Sequence, residues 1–306
     1  MGRGGSFLDE VRTVAGGFRW GRRPLVPAAA EGQAEPRRPG QFPTAWARTP
    51  LARAAREAIL TLGMRPLVWT ETAPRVYGLE NLEGLEHPVL FVSNHTSHLD
   101  ATLILTTLPR RWRERTATGA AADYFFDTWW KSIATALVYN AFPIDRSGRG
   151  RGTASARQML ADGWSLIVFP EGTRSPDGWM QRFRTGAARL AIEQRVPVVP
   201  IAIRGAFAAM PRGRAWPRPG RLPISLRYGP PLFPREGEDH RELTRRMYRA
   251  VAELFDEDRS TWWEAQHRAS RGETPSPAGP AGPRWLRVWE AYRPLPRRGP
   301  RPTWRR

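Results

Sequence analysis

Beyond residue 75, short runs of β-branched and aromatic residues alternate with stretches of helical character. This rhythm predicts an α/β architecture with a mostly parallel central sheet flanked by helices, since parallel strands need helical crossovers between them. The runs SLIVF at 165–169 and VPVVPIAI at 196–203 are almost continuously apolar, which is typical of strands covered on both faces. Pro197 and Pro200 favour an edge position or a late start for the second strand.

The chain divides by composition into three predicted parts. Residues 1–48 mix Arg, Pro, Gly and Ala without a sustained period, which predicts a flexible basic arm. Residues 49–262 are predicted to form the folded domain, and 75–230 hold its core motifs. Residues 263–306 form an Arg/Pro/Trp-rich tail, beginning in a stretch of linker composition.

An amphipathic helix is predicted at the start of the domain. Leu51, Ile59 and Leu62 fall on one side of a period of about 3.6 residues, and Arg53 and Arg56 fall opposite. Two interpretations stay open at this point. The apolar side lies in a membrane interface, or it faces the protein core.

Charge and cysteine content narrow the functional classes. The net charge is +19, almost wholly from arginine, and Lys131 is the only lysine. Such a surface attracts anionic lipid headgroups, nucleic acid or an acidic carrier. The absence of cysteine excludes disulfides, thiolate zinc sites and cysteine nucleophiles.

The location is predicted from two further observations. No run of about eighteen apolar residues supports a spanning helix, and the first twenty residues lack the apolar core of a secretory signal. We therefore expect a peripheral protein on the cytoplasmic face of a membrane. The tail carries Trp285, Trp289, Tyr292 and Trp304 among arginines. It suits an interfacial anchor or a single-stranded nucleic-acid platform, or else it packs back on the domain through its tryptophans.

His95 and Asp100 are the candidates for acid–base chemistry. His95 follows a predicted strand, where ligands bind in open α/β sheets. Ser97 is a fair N-cap with Asp100 three residues on, so the helix is expected to begin between His95 and Asp100. Asp100 could then hold one imidazole nitrogen while the other accepts a proton from an alcohol. Spacing alone favours a plainer interpretation, in which Asp100 only caps its helix and His95 is a loop residue. The same plain interpretation applies to His98, which has no stronger case for a catalytic role.

Two polar turns follow other predicted strands. Glu171, Gly172, Thr173 and Arg174 end the strand SLIVF and could present a guanidinium and backbone amides to a phosphate. Asp145 and Arg146 follow FPI at 142–144 and precede a positive Gly-Arg repeat. Taken singly, each is also compatible with an ordinary surface turn.

Four motifs in order resemble those of the glycerolipid acyltransferase family, which includes 1-acylglycerol-3-phosphate acyltransferases. They are NHTSHLD at 94–100, FPIDR at 142–146, FPEGTRS at 169–175 and VPVVPIAI at 196–203. Four motifs in the same order are far more specific than any one of them. The resemblance covers about residues 75–230.

The resemblance implies roles residue by residue. His95 matches the family's general base and Asp100 its partner, while Arg146, Glu171, Gly172, Thr173 and Arg174 match positions that bind the acceptor's phosphate. Supporting positions match Asn94, Phe183, Arg184, Gly186 and Pro200, with Pro200 near the acyl pocket. Arg184 stands where lysine is commoner, which keeps the charge but changes the donor geometry.

The implied reaction moves a fatty acyl group from acyl-CoA or acyl carrier protein to the hydroxyl of 1-acylglycerol-3-phosphate. It implies neither a metal nor another cofactor, and no acyl-enzyme, since the sequence has no cysteine and no G-x-S-x-G elbow. Backbone amides near the helix start are the suggested oxyanion donors. Two alternatives stay open: acylation of another lipid or glycolipid hydroxyl, and a basic nucleic-acid-binding module, for which no recognisable motif is present.

Overall fold

Seven strands form the sheet in the part of the chain that the structure describes. The computed structural model describes residues 44–121, 129–144 and 151–296. The strands are β1 (Thr72–Tyr77), β2 (Leu90–Ser93), β3 (Thr116–Ala121), β4 (Phe142–Ile144), β5 (Ser165–Val168), β6 (Val198–Arg204) and β7 (Leu222–Tyr228). Their order across the sheet is β1-β7-β6-β2-β5-β3-β4.

Helices surround the sheet. They are α1 (Pro50–Ala58), α2 (Arg65–Glu71), α3 (Leu99–Thr107), α4 (Arg110–Arg113), α5 (Trp129–Tyr139), α6 (Arg151–Ala161), α7 (Gly186–Gln194), α8 (Ala206–Ala209), α9 (His240–Arg259), α10 (Trp262–Arg271) and α11 (Arg284–Ala291). A π-helical segment, Ile59–Met64, joins α1 to α2. Within the described ranges, no helix has both the length and the apolar character needed to cross a bilayer.

The direction of the strands determines where a site can form. The five strands from β2 to β6 are mutually parallel, whereas β7 is antiparallel to β6 and parallel to β1. The predicted α/β class with a mostly parallel sheet is therefore confirmed. The carboxyl ends of β2, β5 and β6 meet at one edge, which is where open α/β sheets bind ligands.

Both faces of the central strands are covered. Phe91 packs with residues of α3 on one face, while Leu90 and Val92 pack with residues of α6, α7 and α9 on the other. Leu166 and Ile167 of β5 divide between the same two clusters. The near-continuous apolar runs thus correspond to strands buried on both faces, as predicted.

The prolines of the VPVVPIAI run do not place it at an edge. The strand β6 lies inside the sheet, between β2 and β7, so the edge prediction is wrong and only the late start, at Val198, is observed. At Pro200 the pairing with β7 has ended, and Gly229 donates its N–H to the Pro200 carbonyl at 2.8 Å. Proline is tolerated there because that contact needs an acceptor only.

The amphipathic helix α1 presents its apolar side outward. Leu51 is 81% exposed and Leu62 in the following π segment is 78% exposed, whereas Arg56 is only 3% exposed. The Arg56 guanidinium donates to the carbonyls of Leu137 and Ala47, which satisfies a buried charge. The core-facing interpretation of the apolar side is therefore wrong.

The start of the tail, which was predicted to be a linker, is helical. Trp262–Arg271 form α10, whose N-cap Thr261 accepts a hydrogen bond from the Glu264 amide at 3.3 Å. The segment predicted as a linker thus begins with a capped helix.

Farther along, α11 packs back on the domain, but not through its tryptophans. Arg287 forms an ion pair with Asp177, and Tyr292 packs edge-on against Phe207 at 5.2 Å between ring centroids. Trp285 and Trp289 are 69% and 57% exposed. Trp304 and residues 1–43 of the predicted arm lie outside the described residues, so the flexibility of both ends stays a prediction.

Candidate active site

A buried asparagine fixes the loop that follows β2. The Asn94 side chain accepts from the Ile203 amide at 2.8 Å and donates to the Ile203 carbonyl at 2.9 Å. This pair of bonds ties the end of β2 to the neighbouring strand β6. His95 therefore starts from an anchored backbone, although its own segment is a loop.

The helix α3 begins after His95, as predicted, but one residue later than Ser97 alone would suggest. His98 precedes the first helical residue, Leu99. The Ser97 hydroxyl accepts from the Leu99 amide at 3.2 Å and donates to the Met210 carbonyl at 2.7 Å. Asp100 consequently lies in the first turn, with its side chain directed back toward the loop.

One oxygen of Asp100 accepts three hydrogen bonds from the loop that contains His95. Oδ2 accepts from His95 Nδ1 at 2.9 Å, from the Thr96 amide at 2.7 Å and from the Ser97 amide at 2.8 Å. The Asp100 side chain has no exposed surface. Because the amides of Thr96 and Ser97 are engaged with Asp100, and that of Leu99 with Ser97, the suggested oxyanion role of the amides near the helix start is wrong for these three.

The two nitrogens of the His95 ring have different surroundings. Nδ1 faces an acceptor and therefore carries the proton, which leaves Nε2 as the basic nitrogen of the neutral ring. Nε2 makes no hydrogen bond to any residue that the structure describes. Phe169 stacks on the ring, with centroids 4.1 Å apart and planes inclined by 19°, and the side chain retains 20% of its exposure.

The turn after β5 holds the backbone of His95 from the other side. Glu171 Oε1 accepts from the His95 amide at 2.8 Å, and the Ser175 amide donates to the His95 carbonyl at 2.7 Å. The contact follows from the sheet, since β2 and β5 are adjacent parallel strands. The first and third motifs are thus joined through the main chain of His95.

Glu171 is a buried carboxyl. Burial is the main cause that raises its pKa to about 8, while the His95 and Gln181 amides lower it and the charges of Asp100 and Asp177 raise it further. Its second oxygen, Oε2, has no hydrogen-bond partner among the described residues. A carboxyl in this setting is largely protonated at neutral pH.

The rest of the turn lies nearer the surface. Gly172 has a φ of +75°, and a Cβ there would come within 2.9 Å of the Arg184 side chain. Arg174 is half-buried near His98, whose pKa is lowered to about 4 by burial and then by the charge of Arg174. Thr173 is exposed. These positions follow Glu171 in the turn that contacts the His95 backbone.

The remaining predicted site residues have no contact with His95 among those described. Phe183 packs edge-on against Tyr248 at 5.3 Å, Gly186 is the exposed first residue of α7, and Pro200 is buried in β6. Arg146 falls outside the described residues, although β4 ends at Ile144 just before it. The roles assigned to all these residues stay predictions.

Sequence reasoning missed two contributors to the site. Phe169, quoted only as part of a motif, forms one wall of the His95 ring, and Ser175 anchors the His95 carbonyl. Both lie in the same motif as Glu171. The expected meeting of this motif with the His95 loop at one edge of the sheet was the signal that could have identified them.

Glu171 generates a prediction about stability and pH. Its folded-state pKa lies above the ordinary value of 4.5, so the folded state binds this proton more tightly than the unfolded state does. The stabilisation is complete below about pH 4.5 and is lost as pH rises through about 8. We expect Glu171→Gln to flatten the fall in unfolding free energy across this window, as measured by urea denaturation.

The exposed Glu236 provides the control for that measurement. Glu236→Gln should keep the wild-type dependence on pH. Parallel wild-type and Glu171→Gln curves between those pH limits would contradict a buried, protonated Glu171.

Comparison with known proteins adds to this geometry. A model of the family described as Acyltransferase matches residues 73–204. A 1-acyl-sn-glycerol-3-phosphate acyltransferase from Limnanthes douglasii is 30% identical over 167 residues, which are 51% of this chain and 56% of that protein. Another from Chlamydomonas reinhardtii is 32% identical over 153 residues, 49% of this chain and 44% of that protein.

A solved structure has the same fold. The crystal structure of the 1-acyl-sn-glycerophosphate (LPA) acyltransferase from Thermotoga maritima superposes with a TM-score of 0.54 at 26% identity, covering 68% of this chain and 83% of that one. The chain spans about half the length of the curated relatives it matches. Its motifs, its fold and these relatives agree: residues 73–204 match the acyltransferase family.

Proposed function

We propose that the protein transfers a fatty acyl group from a thioester donor to the hydroxyl of 1-acylglycerol-3-phosphate, a step of phospholipid biosynthesis. The observation that carries the proposal is the hydrogen bond of 2.9 Å between His95 Nδ1 and Asp100 Oδ2. It leaves the opposite ring nitrogen basic and directed away from the buried carboxylate. The relatives named as acyltransferases of 1-acylglycerol-3-phosphate support the same substrate class.

The proposed reaction begins at Nε2 of His95. Nε2 removes the proton of the acceptor hydroxyl as its oxygen attacks the thioester carbonyl carbon, and the buried charge of Asp100 stabilises the imidazolium that forms. The tetrahedral intermediate then collapses, the carbon–sulfur bond breaks, and the thiolate takes the proton from the imidazolium. An ester and a free thiol result, and His95 returns to its neutral form.

The turn from Glu171 to Arg174 supports the reaction in two ways under this proposal. The buried carboxyl of Glu171 positions the base by accepting the His95 amide, and Arg174 offers a guanidinium to the acceptor's phosphate. Arg146 is assigned the same task from its motif. Identification of the acceptor as a phosphate-bearing lipid depends on these two arginines.

We place the protein at an anionic membrane surface, on its cytoplasmic face. The apolar side chains of Leu51 and Leu62 are exposed to solvent. The protein as a whole carries a net charge of +19. Exposed leucines beside cationic groups suit the interface of a bilayer that contains anionic lipid. The same surface would bring the enzyme to its lipid acceptor.

Loss of the base is the first test of this function. Removing a general base costs about two to four orders of magnitude in rate, so His95→Ala should lower kcat by that factor with lysophosphatidic acid and acyl-CoA. Asp100→Asn should lose about two orders or more, since it removes the charge that supports the imidazolium. Thiol release from the donor provides the measurement.

His267, exposed on α10, serves as the matched histidine control. His267→Ala should retain wild-type turnover, and unfolding midpoints should show that the site variants remain folded. Near-normal turnover of folded His95→Ala would refute the proposed chemistry.

Arg174 provides a test of the acceptor. A charge-assisted hydrogen bond to phosphate contributes about 1.5–3 kcal/mol, or about ten- to a hundredfold in affinity. Arg174→Gln should raise KM for 1-acylglycerol-3-phosphate by about that factor and leave KM for phosphate-free 1-acylglycerol unchanged. Steady-state kinetics with the two acceptors measures the difference.

The other outcomes of that experiment are also informative. An equal loss with both acceptors would show that Arg174 only braces the site. A wild-type preference for the phosphate-free lipid, or for a glycolipid, would replace the proposed acceptor with the alternative hydroxylated lipid.

A further inference from the structure

A cleft of about 940 Å³ lies along α9. One side of α9 forms its floor, with Arg241, Arg245 and Arg249 at successive four-residue steps, which places them on one face of the helix. Arg182, Phe183 and Thr185 line one part of the cleft. Gly272 and the residues 274–277, just after α10, line another. Most of the cleft therefore lies outside the residues that match the family, 73–204.

The cleft carries an excess of positive charge. Arg182 adds a fourth arginine, and no aspartate or glutamate is among the residues that line the cleft. None of the four arginines has an ion pair within 4.0 Å in the part of the chain that the structure describes. An anionic ligand would supply the missing countercharge.

Neighbouring arginines behave differently. Arg246, on another face of α9, is held by Glu238, and Arg268 of α10 is held by Asp256. Arg246 and Arg268 thus have carboxylate partners, unlike the four arginines of the cleft. Four guanidinium groups line the cleft and no carboxylate does, and guanidinium forks bind phosphates in bidentate fashion.

Beside the charges there is an aromatic wall. Phe183 and Tyr248 meet edge to face at 5.3 Å between centroids, and Ala252 and Pro277 add apolar surface. The volume lies within the range of small-molecule sites, which combine apolar walls with a few convergent polar groups. Phosphates together with a flat ring system match this combination.

The cleft adjoins the turn that supports His95. Arg184, between the lining residues Phe183 and Thr185, donates its amide to the Pro170 carbonyl at 2.8 Å. Pro170 directly follows Phe169, which stacks on the His95 ring. A ligand anchored in the cleft would thus have its other end beside the site.

We propose that this cleft binds the phosphorylated adenosine end of coenzyme A, with the pantetheine arm leading the thioester toward His95. The inference rests on the proposed acyl transfer and selects the donor within it. The volume of the cleft and its aromatic wall suit a small molecule that carries phosphates and a flat ring. Arginines bind the phosphates, and the Phe183–Tyr248 wall contacts the adenine.

The experiment compares two donors that share one thioester. Arg245→Gln/Arg249→Gln should raise KM for acyl-CoA by about tenfold or more, since charge-assisted bonds to phosphate are lost. KM for acyl-pantetheine, which lacks the nucleotide, should stay at the wild-type value, as should KM for the lipid acceptor. The control, Arg189→Gln/Arg195→Asn, removes two exposed arginines outside the cleft and should change neither donor.

Equal effects on the two donors, or an unchanged KM for acyl-CoA, would overturn the proposal. Weaker binding to anionic vesicles with normal acyl-CoA kinetics would do the same and assign the arginines to the membrane. If the wild type acylates no lysophosphatidic acid, calorimetry with coenzyme A separates the two ideas. If the wild type binds coenzyme A and the cleft variant binds it at least about tenfold more weakly, the proposed binding site is supported. If the wild type does not bind coenzyme A, the proposed binding site is refuted.

Discussion

A single oxygen of Asp100 accepts hydrogen bonds from the His95 ring and from the amides of Thr96 and Ser97. The two amides belong to the turn that joins β2 to α3, so this one oxygen fixes the turn and the ring together. The three donors also offset the cost of burying a carboxylate. The tautomer of His95, and with it the nitrogen that can act as a base, follows from this arrangement.

The strand order supplies the rest of the support. The neighbours of β2 are β5 and β6, and each holds the histidine loop from its own side. From β6, Ile203 binds Asn94, and from the turn after β5, Glu171 and Ser175 bind the main chain of His95. Residues far apart in sequence converge because parallel strands present their carboxyl ends at one edge.

Sequence patterns predicted what depends on local order and failed where tertiary contacts decide. The alternation of strands and helices and the break between His95 and Asp100 were legible, since caps and periodicity are local signals. The strands β1 and β3 could not be predicted in this way, because TAPRVY contains a proline and TATGAA has little apolar bulk. They form because they pair with neighbouring strands. The period of α1 revealed an apolar side but not that it faces solvent. Likewise the third motif located Glu171, but only the packing shows how deeply its carboxyl is buried.

The central claim is that Asp100 holds His95 in the tautomer protonated at Nδ1. Nitrogen-15 NMR of the imidazoles, with His95→Gln to assign the signal, measures the tautomer directly. We expect the neutral ring to carry its proton on Nδ1 and Asp100→Ala to abolish that preference. A neutral His95 protonated at Nε2, or a tautomer that is indifferent to Asp100, would contradict the account.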